Sequence, residues 1–216
     1  MGHGSEHRHG HGHGPHGDAT HDAHGNPHDF DHYLSKLDDP TRAEWQKPDE
    51  VVAALALRAG DVACDVGVGP GYFALRMARA VGPSGRVHAI DVDPRMIEIL
   101  ERRAREQGLA NVRTTLASGD PVPPEPCDVI LAVNTFHHFH DGAGALRALA
   151  ARLRPGGRIV NVDFHEGELP VGPGPDHKVS REEFLSVAAE AGLRAVREET
   201  FLPYQYLLVL APAAAR

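Results

Sequence analysis

The chain has 216 residues and a formal charge of −8 with its histidines neutral, and this length suits one domain with a sizeable core. The acidic balance argues against nucleic-acid binding through a basic face, and the absence of any run of about 18 apolar residues argues against a membrane span. The N-terminal residues lack the apolar core of a secretory signal, so the composition predicts a cytoplasmic protein.

Residues 1–32 form a block with a composition of their own. They hold ten of the sixteen histidines, many glycines and almost no apolar residues. Such a segment cannot bury enough apolar surface to offset the entropy lost on ordering. We therefore predict a disordered tail over 1–32 and one folded domain over 33–216. The density of imidazoles predicts loose binding of divalent metal ions, without the ligand spacing of a structural zinc site.

Apolar runs and helical patterns alternate from about residue 45 to the end of the chain. Predicted helices span 50–60, 72–82, 95–108, 142–157 and 180–192. Predicted strands span 62–68, 85–93, 112–117, 127–133, 158–164, 195–202 and 204–212. Asp93, Asp141 and Ser180 are typical N-cap residues, and Pro94 suits the first helical turn.

The order of these elements indicates an α/β fold. The early strands are apolar on both faces, which is typical of a parallel sheet covered by helices on each side. The last two strands follow one another without a helix, so we expect one of them to run antiparallel. The prediction is a doubly wound, seven-stranded, mostly parallel sheet with an antiparallel last strand and helices on both faces.

Three glycines at alternate positions, Gly67, Gly69 and Gly71, follow the first predicted strand. In doubly wound folds, ligands bind at the carboxyl ends of the strands. A triphosphate-binding loop would continue with Gly-Lys-Ser/Thr, but Tyr72 and Phe73 stand here, and the dinucleotide fingerprint would need glycine in place of Tyr72. The loop therefore favours a ligand other than a phosphate chain.

Two acids flank this loop. Asp65 precedes it, and Asp91 ends the second predicted strand, where a carboxylate can accept hydrogen bonds from both hydroxyls of a ribose. Because NAD sites share this second acid, Asp91 alone leaves a nicotinamide oxidoreductase as an alternative.

Five segments carry a family resemblance. DVGVGPG, AIDVD, SGD, NTFHHF and LRPGGRIV occur in this order, and the set resembles the class I S-adenosylmethionine-dependent methyltransferases over roughly residues 48–211. The resemblance implies an enzyme with a Rossmann-like fold, S-adenosyl-L-methionine as cofactor and a small molecule as methyl acceptor. No feature of the sequence specifies an oligomer.

The resemblance also implies roles by position. The three glycines bring the backbone close to the methionine part of the cofactor, and Asp65 shapes the loop and reaches the cofactor's ammonium group through water. Asp91 takes the ribose, Val92 packs on the adenine, and Asn134 lies near the methionine moiety. The implied cofactor-binding residues are Asp65, Gly67, Gly69, Gly71, Tyr72, Asp91, Val92, Gly119, Asp120 and Asn134.

Histidines follow the fourth predicted strand, beside the expected methyl group. His137 and His138 are the candidate catalytic bases, needed only if the acceptor carries a proton at the working pH, and Asp163 lies on the same rim. Two alternatives stay open: the pair orders the loop, or the protein is a His-rich metal-handling protein. The second alternative would use His138, His140, His165 and His177 together with the tail. The prediction assigns no metal ligand in the folded domain.

Overall fold

The structure is a computed structural model that describes residues 29–119 and 121–213. Its α-helices are α1 (Phe30–Leu37), α2 (Arg42–Gln46), α3 (Pro48–Ala54), α4 (Ala74–Val81), α5 (Pro94–Glu106), α6 (Gly142–Ala150) and α7 (Arg181–Glu190). Its strands are β1 (Val62–Val66), β2 (Arg86–Asp91), β3 (Val112–Leu116), β4 (Cys127–Val133), β5 (Leu153–Phe164), β6 (Leu193–Glu199) and β7 (Gln205–Pro212).

The seven strands form one sheet in the order β3-β2-β1-β4-β5-β7-β6. The first five strands run parallel, and β7 lies between β5 and β6, antiparallel to both. The strand order reverses beside β1, between β1 and β4. The predicted fold class is confirmed, including the antiparallel last strand.

Helices cover both faces of the sheet, because neighbouring residues of a buried strand point to opposite sides. Ala63 of β1 packs in the cluster that α3, α4 and α5 cover, whereas the adjacent Cys64 packs in the cluster beneath α6 and α7. All five residues of β1 are buried. A strand apolar on both sides thus requires this three-layer arrangement.

The predicted helix starts are confirmed by their caps. The Asp93 carboxylate accepts a hydrogen bond from the backbone N–H of Arg95 at 2.9 Å, and Pro94 occupies the first helical position of α5. Asp141 caps α6 and Ser180 caps α7 in the same way. These local hydrogen bonds satisfy backbone donors that a helix start leaves unpaired.

One predicted helix is too long at its end. The pattern over 142–157 extends to Leu153, but α6 ends at Ala150, and Leu153 is already the first residue of β5. Pro155 lacks a backbone N–H and disfavours the helical conformation of the residue before it, and Gly156 has a φ of 79°. The leucine spacing therefore continues across a helix end.

The first described helix begins inside the block that composition assigns to the tail. Asp29 accepts a hydrogen bond from the backbone N–H of His32 at 3.0 Å and so caps α1, which starts at Phe30. Residues 1–28, with the rest of the predicted tail and its metal binding, lie outside the described residues. None of the described helices is both long enough and apolar enough to cross a bilayer.

Candidate active site

A cavity of about 410 Å³ opens at the carboxyl ends of β1, β2 and β4, within the usual range of small-molecule sites, about 300–1,000 Å³. Nine of the predicted site residues line it: Asp65, Gly67, Gly69, Tyr72, Asp91, Val92, Gly119, Asn134 and His138. Gly71 lines an adjoining outer groove, His137 does not line the cavity, and Asp120 lies outside the described residues.

The three loop glycines differ in how much room the structure leaves for a side chain. Gly67 has a φ of 69°, and a Cβ there would stand 2.4 Å from the hydroxyl oxygen of Thr135. Gly71 has a φ of 93°, and a Cβ there would stand 2.4 Å from a side-chain methyl carbon of Leu100. At Gly69 a Cβ would meet nothing closer than Leu37, at 3.9 Å. Packing therefore requires glycine at two positions, while Gly69 leaves the backbone bare beside the cavity.

Asp91 is tied to the glycine loop. One oxygen of its carboxylate accepts a hydrogen bond from the N–H of Gly69 at 2.8 Å, and the other accepts one from the N–H of Asp93 at 3.0 Å. Burial raises the pKa of Asp91, although these backbone donors oppose the rise. The carboxylate is thus oriented before any ligand arrives, and its predicted contact with a ribose stays a prediction.

Asp65 is a second buried acid in the same cavity, and its side chain is almost fully shielded from solvent. Burial raises its pKa well above the ordinary value, and the negative charge of Asp91 adds to the rise. The backbone N–H of Ala74 and the charge of Arg42 act in the opposite direction. Two acids of this kind, side by side, favour a ligand that carries positive charge.

Asp65→Asn tests how much the burial of this carboxylate destabilises the ligand-free protein. Because the pKa of Asp65 is raised in the folded state, the folded protein binds more protons, and its free energy of unfolding falls as pH rises above about 4. We expect Asp65→Asn to lessen that fall by roughly 1–3 kcal/mol, the usual cost of a buried polar group without full compensation. Urea unfolding at several pH values measures it, with the exposed Asp49→Asn as the control. Parallel pH profiles for wild type and Asp65→Asn would contradict it.

The N-terminal helices supply cavity residues that sequence reasoning missed. Tyr33 and Leu37 of α1 line the cavity, and so does Arg42 of α2. Arg103 holds α1 in place, because its guanidinium donates to both carboxylate oxygens of Asp38, at 2.9 and 2.6 Å. The spacing of Phe30, Tyr33, Leu34 and Leu37 is the amphipathic signal that could have shown this helix.

Asn134 ends a row of hydrogen-bonded side chains whose other three members are buried. Its Oδ1 accepts from Gln205 at 2.7 Å, and Gln205 in turn accepts from Gln46 at 3.1 Å. Gln46 then accepts from Nε of Arg42. We call these four residues the amide relay. Asn134 has a φ of 53°, a conformation that asparagine tolerates better than most residues.

Of the two histidines, His138 lines the cavity and His137 lies beside a buried acid, Asp163. His138 lines the cavity, and its ring centroid lies 4.2 Å from that of His137. Nδ1 of His137 is 3.4 Å from Oδ2 of Asp163, whose other oxygen accepts the N–H of Phe164 at 2.9 Å. The ends of β4 and β5 thus place an acid behind two imidazoles. Their catalytic role stays a prediction.

The described part of the chain gives no support to the metal-handling alternative. Across residues 29–119 and 121–213, no three His, Cys, Asp or Glu side chains are grouped closely enough to hold a metal ion. The proposed set of His138, His140, His165 and His177 is therefore not assembled in this structure.

Three features of the structure are typical of one class of protein: a glycine loop after β1, an acid at the end of β2 and a sheet that ends with antiparallel β7. The chain's fold and its matching segment are those of the class I S-adenosylmethionine-dependent methyltransferases, a family whose cofactor is S-adenosylmethionine. Residues 63–157 match the family described as "Methyltransferase domain".

Curated relatives agree with this assignment. The chain is 31% identical to 27-O-demethylrifamycin SV methyltransferase of Amycolatopsis mediterranei, over 72% of this chain and 62% of that protein. It is 33% identical to demethylmenaquinone methyltransferase of Tropheryma whipplei, over 65% of this chain and 55% of that protein. The chain thus spans less than two thirds of the length of these relatives.

A solved structure shows the same fold. A SAM-dependent methyltransferase from Aquifex aeolicus superposes with a TM-score of 0.77 at 28% identity. The match covers 83% of this chain and 96% of that one.

Proposed function

We propose that the protein transfers a methyl group from S-adenosylmethionine to a small-molecule acceptor by in-line displacement. One observation carries the proposal: Asp65 and the loop-bound Asp91 line a single cavity beside a bare glycine backbone. The arrangement fits the cofactor, because it offers a hydrogen-bond acceptor for a ribose, close backbone approach and negative charge for a cationic ligand.

The residues of the chain divide the work of binding and orientation. Asp91 would hold the ribose and Val92 would pack on the adenine, while Asp65 would face the ammonium group. When bound, the cofactor supplies a methyl group that its sulfonium has already activated. The protein therefore needs no covalent nucleophile, and holding acceptor and methyl in line contributes about 7–11 kcal/mol toward lowering the barrier.

The acceptor would lie at the His138 end of the cavity. The relatives' names give an O-demethylated rifamycin and a demethylated menaquinone as their substrates. We therefore place hydroxylated ring compounds first among candidate acceptors, before thiols, amines and metalloid oxyanions. His138 would take the proton of such an acceptor on a ring nitrogen, while Asp163 holds and positions His137 behind it.

Calorimetry and product analysis test the proposed function. We expect binding of S-adenosylhomocysteine (SAH), the demethylated form of the cofactor, and SAH release when a suitable acceptor is added with S-adenosylmethionine. Binding of NADH in place of SAH would favour the oxidoreductase alternative. Tight zinc or nickel binding without SAH binding would favour the metal-handling alternative.

His138→Gln tests the proton transfer once an acceptor is known. We expect kcat to fall about 100- to 10,000-fold, the usual contribution of a general base, while the Kd of SAH stays unchanged. His165→Gln is the matched control, because His165 stands on the same rim, outside the cavity wall. An unchanged kcat and an unchanged pH profile in His138→Gln would show that the histidine pair only orders the loop.

A further inference from the structure

Arg42 is a buried cation that lines the cavity. It is 8% exposed, and among the described residues that line the cavity it is the only Lys or Arg. It forms no salt bridge with any Asp or Glu of residues 29–119 and 121–213. Burying a charge is costly unless an opposite charge or a full set of hydrogen bonds compensates it. Asp38 and Asp65 attract Arg42 without forming a salt bridge, so the guanidinium can still take an anion in direct contact.

The guanidinium of Arg42 is held in one orientation. Its carbon lies 4.1 Å from the centre of the Tyr72 ring, its Nε donates to Gln46, and its Nη1 donates to the carbonyl oxygen of Leu37 at 2.8 Å. Nη2 has no hydrogen-bond acceptor among the described residues. A guanidinium fixed in this way offers its remaining N–H groups to a planar acceptor such as a carboxylate.

The charge beside Arg42 narrows the choice of anion. Asp65 lines the same cavity and attracts Arg42, yet the two form no salt bridge. An α-amino acid carries an ammonium and a carboxylate on one carbon, so it matches an acid and a guanidinium that face the same space without touching. The amide relay connects Arg42 to Asn134 at the end of β4, and both residues line the cavity.

We propose that Arg42 binds the α-carboxylate of the cofactor's methionine moiety, with Asp65 facing the neighbouring ammonium group. This inference rests on the proposed function and adds to it a binding residue outside the family's sequence segments. Tyr72, which sequence reasoning assigned to the cofactor, then acts mainly as the surface on which Arg42 stacks.

Two ligands that differ only in the carboxylate test the inference. SAH carries it, and S-adenosyl-3-thiopropylamine is SAH without it. We expect wild type to bind SAH about 10- to 100-fold more tightly than the thiopropylamine, the range of charge-assisted hydrogen bonds. Arg42→Gln should lose that preference by weakening SAH alone. Both affinities are measured by calorimetry on the full chain.

Arg76→Gln is the matched control. Arg76 also lies over the Tyr72 ring, at 4.5 Å, but it lines the outer groove. We expect it to change either affinity by less than about threefold, as for a surface substitution. Equal affinity of wild type for the two ligands would overturn the inference while leaving the proposed function in place, and it needs no variant. Equal loss of both ligands in a folded Arg42→Gln would overturn it too. Binding of neither ligand by wild type would overturn the proposed function as well.

Discussion

Asp91→Ala is expected to weaken SAH binding by at least about 100-fold, because a charged hydrogen-bond partner contributes about 1.5–3 kcal/mol per bond and a ribose offers two hydroxyls. The loss has a second cause within the protein. The Asp91 carboxylate also accepts the N–H groups of Gly69 and Asp93, so the variant removes one of the hydrogen bonds that hold the glycine loop at the end of β2. Isothermal titration calorimetry with SAH measures the loss.

Glu190→Ala is the control for that experiment. Glu190 is an exposed carboxylate at the end of α7, 3.9 Å from Arg147, and it does not line the cavity. Removing it leaves the site untouched, and its SAH affinity should equal that of wild type. Circular dichroism shows whether Asp91→Ala remains folded. SAH binding of wild-type strength in a folded Asp91→Ala would mean that Asp91 does not hold the cofactor.

Gly67→Ala is expected to lower the free energy of unfolding by roughly 2–5 kcal/mol, with left-handed backbone strain and overpacking both contributing. The new Cβ would stand 2.4 Å from Oγ1 of Thr135, and that hydroxyl is itself held within hydrogen-bond distance of the carbonyl oxygens of Val66 and Val133. Neither side of the contact can move freely. Urea denaturation measures the change, and calorimetry should show SAH binding lost together with the loop geometry.

Gly108→Ala separates the two causes. Its φ of 68° nearly equals the 69° of Gly67, but a Cβ there would meet nothing within 4 Å. We expect this control to cost only about 1–2 kcal/mol, the backbone strain alone, and to bind SAH normally. A cost for Gly67→Ala no larger than that for Gly108→Ala would show that Thr135 does not restrict the loop.

The sheet could be predicted from the sequence because its signals are local. Each of three signals depends on only a few residues: the buried apolar strands, N-cap residues such as Asp93 and the lack of a helix before β7. The structure confirms all three. The end of α6 could not be found from leucine spacing alone, since Leu153 continues the spacing inside β5. The proline after it was the better signal.

The site was predictable only in part, for a physical reason. Residues on the glycine loop and at strand ends, such as Asp91, are placed by the fold itself. Arg42 and Gln205 come together through a relay whose members Gln46 and Gln205 are 159 positions apart in sequence. No periodicity reports such a contact. Helix α1 was missed because its first residues share a block with the histidine-rich segment.

Because the amide relay includes Gln205, the surroundings of the cavity are completed late in chain synthesis. Gln205 is the first residue of β7, the last described strand. In the finished sheet, β7 lies between β5 and β6. A nascent chain that has emerged only through β5 has its glycine loop and both acids but lacks the amide that joins Gln46 to Asn134. We therefore expect such an intermediate to bind ligand weakly. The cofactor would then stabilise only molecules in which β6 and β7 have joined the sheet.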